Sequence, residues 1–92
     1  MKKEFRAIVR GRVQLVMYRD FAARTARQLG VAGTVRNRDD GTVEIVAQGA
    51  PSALAAYLER LRRGPLLSKV EHVDAQWQEP TEALGDFAIV YA

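Results

Sequence analysis

Val31-Ala32-Gly33-Thr34-Val35-Arg36-Asn37-Arg38-Asp39-Asp40-Gly41-Thr42-Val43-Glu44-Ile45-Val46-Ala47-Gln48 contains two β-rich runs, 31–37 and 42–48, around a turn at 38–41. Asp-Gly is a strong tight-hairpin signal, because glycine supplies positive φ at no steric cost, so the two runs are antiparallel neighbours. On both sides the apolar spacing becomes helical. Upstream, Tyr18, Ala22, Ala26 and Leu29 share one face over residues 18–29, Arg24, Arg27 and Gln28 face away, and Gly30 offers a left-handed stop. Downstream, Pro51 opens a second helix in its first turn, Leu54, Tyr57, Leu58 and Leu61 form its apolar face, and Gly64-Pro65 ends it.

The outer segments complete the pattern. Residues 5–10 alternate, with Phe5, Ala7 and Val9 on one side and Arg6, Ile8 and Arg10 on the other, a half-buried strand ending near Gly11. Over 69–77 the apolar parity slips from Val70 to Val73, Ala75 and Trp77, as a bulge near Glu71 and His72 would cause. After Glu79-Pro80, a turn-rich stretch to Gly85 leads into Phe87, Ile89 and Tyr91, a last strand. The order βαββαβ plus a C-terminal strand predicts an α+β fold, a ferredoxin-like split βαβ sandwich with two helices on one face of a mostly antiparallel sheet.

Ninety-two residues suit one core, and one domain over 1–92 is expected. With 48% hydrophobic and 27% charged residues the chain has neither the charge excess of a disordered segment nor a membrane-length apolar run, so no membrane partner is expected. The absence of cysteine excludes disulfides, thiolate metal sites and thiol nucleophiles. Met1-Lys2-Lys3-Glu4 runs into an alternating segment without an apolar leader core, which points to the cytoplasm. A net charge of +3 and a pI of 9.7 favour an anionic ligand and leave nucleic acid open on charge alone. Base stacking needs sheet aromatics, yet the face opposite the helices offers Arg6, Ile8, Arg10, Thr42, Glu44, Val46 and Gln48, so nucleic acid is not expected.

Gly11-Arg12-Val13-Gln14-Leu15-Val16-Met17-Tyr18-Arg19 connects the first strand to the first helix. Successive backbone N–H groups at a helix start, backed by the helix dipole, form a concavity suited to a phosphoryl group. Arg19 in the first turn can pair with phosphate oxygens through two parallel hydrogen bonds. From spacing alone, a solvated surface arginine is the commoner reading.

This run resembles the acylphosphatase signature, whose usual form is G-x-V-Q-G-V-x-[FY]-R. Leu29-Gly30-Val31-Ala32-Gly33-Thr34-Val35-Arg36-Asn37 is similar to the family's L-G-x-x-G-x-V-R-N block, and Asp40-Gly41-Thr42-Val43-Glu44 to its D-G-x-V-E hairpin. The resemblance covers essentially the whole chain in order. It implies a hydrolase of acyl phosphates, with a small-molecule substrate, neither cofactor nor metal, and a monomer. It also implies a site in which Arg19 anchors the substrate phosphate, a loop of Arg12, Val13, Gln14, Leu15, Val16, Met17 and Tyr18 cradles it, and Asn37 orients the attacking water. The substrate's own phosphate then accepts the proton, so no protein base is needed.

The other chemistry-bearing residues have plainer readings. The single histidine, His72, is expected as an ordinary half-exposed strand residue, and Asp39 and Asp40 belong to the hairpin turn. Asn37 reads by itself as a turn residue at a strand end. One position departs from the family: Leu15 stands where glycine is usual, which costs about 1 to 2 kcal/mol if the loop is left-handed there. The alternative function is therefore a phosphate or acyl-phosphate binding module in which Leu15 impairs turnover.

Overall fold

The computed structural model describes residues 1–80 and 82–91. Its elements are β1 (Lys3–Arg12), α1 (Tyr18–Leu29), β2 (Ala32–Asn37), β3 (Val43–Gly49), α2 (Pro51–Arg63), β4 (Lys69–Gln78) and β5 (Ala88–Val90). They form a five-stranded sheet in the order β4-β1-β3-β2-β5, antiparallel except where β5 runs parallel to β2. The fold is α+β and ferredoxin-like, as the alternation predicts.

Period-two alternation builds the sheet side of the core. Phe5, Ala7 and Val9 of β1 meet Val43, Ile45 and Ala47 of β3 in register, and all six are sealed from solvent. Against them α2 sets Leu54, Tyr57 and Leu61, and α1 sets Tyr18, Ala22 and Ala26. Two phenols join the helices: Tyr18 O–H donates to the Leu61 carbonyl at 2.7 Å, and Tyr57 O–H to the Ala22 carbonyl at 2.8 Å. Burial pushes both phenols well above their ordinary value of 10.0, so each stays a protonated donor. The Tyr57 ring also stacks on Phe5 at 6.2 Å and meets Phe87 edge-on at 5.8 Å.

The turn after β2 runs over four residues, Arg38 to Gly41. The Gly41 N–H donates to the Arg38 carbonyl at 3.2 Å, the Arg38 N–H to the Thr42 carbonyl at 2.8 Å, and Gly41 sits at φ 89°. Asp40 supports it by accepting from the Thr42 N–H at 3.1 Å and the Thr42 hydroxyl at 2.5 Å. These bonds hold the Asp40 carboxyl below its ordinary range.

The expected bulge lies in β4. Arg10 pairs with His72 but Gly11 with Val70, which leaves Glu71 as the extra residue. Gly11 is required there: at φ 127° a Cβ would come within 2.0 Å of the Lys69 carbonyl oxygen.

The sheet face opposite the helices is less open than its polar residues suggest. Glu44 takes Arg6 Nε at 2.5 Å and Arg36 Nε at 2.7 Å, bridging three strands. Gln48, only 2% exposed, donates to Glu4 Oε1 at 2.7 Å and to the Glu82 carbonyl at 2.6 Å, and accepts from the Leu84 N–H at 3.0 Å. That amide pins the segment before β5 and, with the Gly33 N–H donating to the Gly85 carbonyl at 3.3 Å, delivers β5 to the free edge of β2.

Candidate active site

At one end of the sheet the β1–α1 loop, the end of β2 and the residues around β5 enclose a cleft of about 390 Å³. Its lining includes Val13, Leu15, Met17, Tyr18 and Arg19 from the loop and helix start, Asn37 from β2, and Ile89 and Tyr91 from the last segment. Arg19 and Asn37, 18 positions apart in the chain, therefore share one cavity.

Local geometry explains how the loop is held. Gln14 Nε2 donates to the Arg38 carbonyl at 2.8 Å and the Thr42 carbonyl at 2.9 Å, clamping the loop to the base of the hairpin that carries Asn37. Val13 is buried, Val16 packs against the core, and Tyr18 fills the space between the helices. The backbone turns through two left-handed residues, Leu15 at φ 62° and Met17 at φ 65°. Met17 caps α1 with no side-chain bond to the first turn. Main-chain donors of that turn, which have no partner within the helix, thus stand at the cleft together with the positive end of its dipole.

Two observations bear on the polar groups. Asn37 Oδ1 is buried with no hydrogen-bond partner among the described residues, while the neighbouring turn draws its side-chain bonds from Gln14 and Asp40. An orphaned buried acceptor of this kind costs about 1 to 3 kcal/mol unless something donates to it. The Arg19 guanidinium lies over the Tyr91 ring, 4.8 Å from its centroid. Asp20 also lines the cleft, with its carboxylate held by Arg24 Nε at 2.9 Å.

Of the residues singled out from the sequence, Val13, Leu15, Met17, Tyr18, Arg19 and Asn37 reach the cleft, whereas Arg12, Gln14 and Val16 do not line it. Arg12 ends β1 opposite Lys69, and Gln14 acts on the hairpin instead. His72 is exposed on β4, at the far edge of the sheet. Asp20, Ile89 and Tyr91 are additions. Nothing in the letters marked the last two, because their place depends on which edge β5 joins. Among the described residues, no group of three His, Cys, Asp or Glu side chains is placed to hold a metal ion, and no helix is long and apolar enough to cross a membrane.

A family model described as Acylphosphatase matches residues 5–89. The chain is 49% identical over 79 residues to an acylphosphatase of Thermus thermophilus, covering 86% of this chain and 90% of that one. It is 45% identical over 91 residues to an acylphosphatase of Pasteurella multocida, covering 99% of each. The crystal structure of acylphosphatase from Bacillus subtilis superposes with a TM-score of 0.94 at 40% identity, over 97% of this chain and 99% of that one.

Proposed function

The chain belongs to the acylphosphatase family, a family of hydrolases, and on that premise we propose that it cleaves acyl phosphates to carboxylate and inorganic phosphate by direct attack of water on phosphorus. Arg19 and main-chain N–H groups of the 15–20 turn hold the phosphoryl oxygens, and Asn37 aims the water. What chiefly supports these roles is the shared cleft: Arg19, the residues of an uncapped helix start and Asn37, whose buried amide oxygen lacks a partner among the described residues, line one space.

In the proposed reaction the Asn37 carbonyl oxygen accepts one O–H of the water and turns its lone pair towards phosphorus. A bond forms from the water oxygen to phosphorus as the bond from phosphorus to the acyl oxygen breaks, and the carboxylate departs with its electron pair. The water proton passes to a phosphoryl oxygen, giving carboxylate and dihydrogen phosphate from an acyl phosphate dianion and water. Charge on the equatorial oxygens is met by Arg19 and the loop donors, and the activated anhydride supplies a good leaving group. No protein group needs to change protonation.

Benzoyl phosphate hydrolysis by the wild type beside Arg19→Ala and Asn37→Ala tests this. Each substitution is expected to lower kcat by about 10²-fold or more while the folded spectrum is retained, the scale of removing one preorganised donor. Wild-type turnover equal to that of Arg19→Ala would remove the site. A second reading, a binding module with poor turnover, draws on the left-handed Leu15 where the family has glycine. Inorganic phosphate binding without hydrolysis would establish it.

A further inference from the structure

Seven large apolar side chains stand exposed among the described residues, and three of them, Leu15, Met17 and Tyr91, ring the cleft at 99%, 68% and 77% exposure. Two of these three are held in left-handed backbone, a conformation that disfavours side chains. Leu15 is thus unfavourable twice over, in its backbone and in the apolar surface it leaves in water, and no other part of the described chain covers it. The Tyr91 ring, packed against the guanidinium assigned to phosphate, lines the same cleft as Leu15 and Met17, so a group attached to a phosphate held there has their apolar surface within reach. Ile89 continues the apolar wall inward.

From this arrangement we infer that Leu15, Met17 and Tyr91 form an acyl-recognition rim that selects acyl phosphates with an apolar, ring-sized acyl group over small or polar ones. The inference rests on the hydrolase reading of the cleft and adds its substrate class. The rim surrounds the acyl group rather than the reacting atoms, so it acts on the capture of one substrate against another. Apolar contacts of this size discriminate by about 10-fold upwards, and an open rim lies at the lower end.

The test compares kcat/KM for benzoyl phosphate and acetyl phosphate in the wild type, Leu15→Asn, Met17→Ser and Tyr91→Ser. Asparagine tolerates left-handed backbone, so Leu15→Asn removes the apolar surface and keeps the loop. The benzoyl-to-acetyl ratio cancels intrinsic reactivity when each variant is set against the wild type. It is expected to fall about 10-fold in Leu15→Asn and severalfold in the other two. A second measurement needs no variant: benzylphosphonate should inhibit the wild type about 10-fold more tightly than methylphosphonate. Hydrolysis of both substrates with ratios unchanged across the variants, or equal inhibition by the two phosphonates, overturns the rim while leaving the hydrolase standing. Hydrolysis of neither substrate by the wild type overturns the hydrolase and the rim together.

Discussion

Leu15 carries a conflict between stability and the recognition proposed for it. Its φ of 62° places Cβ close to the following carbonyl, and its side chain makes no compensating contact in water. Leu15→Gly should therefore stabilise the fold by up to about 1 kcal/mol, part of the relief being returned to the more flexible unfolded chain. A urea midpoint raised at constant m-value checks this. The same variant should keep or raise turnover of acetyl phosphate, since the cradle backbone is relaxed. An unchanged or lowered midpoint would mean that the loop carries no strain at 15. Met17 shows how a site can hide from its letters: methionine has no preference for left-handed backbone, so its positive φ had no local signal. Leu15 was visible only against the glycine usual in the resembling signature.

Among the elements, α1 was legible, because an apolar face of Tyr18, Ala22, Ala26 and Leu29 followed by Gly30 leaves little freedom in where the helix stops. The hairpin and the β4 bulge were equally readable, from Asp40-Gly41 and from the slipped parity of Val70 and Val73. β5 was readable as a last strand from Phe87, Ile89 and Tyr91, but the edge it joins was not, because its approach is set by a buried side chain, Gln48, whose polar letter placed it on an outer face. Gln48→Ala would leave the Leu84 N–H and Glu82 carbonyl unsatisfied and strip one partner from Glu4. A loss of about 2 to 3 kcal/mol is expected. Faster hydrogen exchange at the Gly33 and Leu84 amides should accompany it, with the β1 and β3 amides following only the global loss. Uniform acceleration across the sheet would show that Gln48 does not secure β5 in particular.

For the molecule as a whole, acid is the natural stress, and Glu44 joins most strands to it. Burial would raise its carboxyl, but hydrogen bonds from Arg36 and Arg6 outweigh this and hold it below the ordinary 4.5. A depressed folded value means that the carboxylate's contribution is complete above pH 4.5 and is lost as pH falls through the lower folded value. The urea midpoint should therefore drop between pH 5 and pH 3 in the wild type, and drop less in Glu44→Gln, which starts lower at pH 7. Parallel pH curves for the two proteins would remove Glu44 as a source of acid sensitivity.

The parallel docking of β5 on β2 has a consequence for biosynthesis. The cradle, the guanidinium and the amide all belong to residues 12–37, which leave the ribosome early, while Ile89 and Tyr91 are added more than fifty residues later. A nascent chain consequently owns the groups proposed to hold phosphate well before it owns the rest of the cleft's wall, and the pocket acquires its shape only when the last strand zips into place.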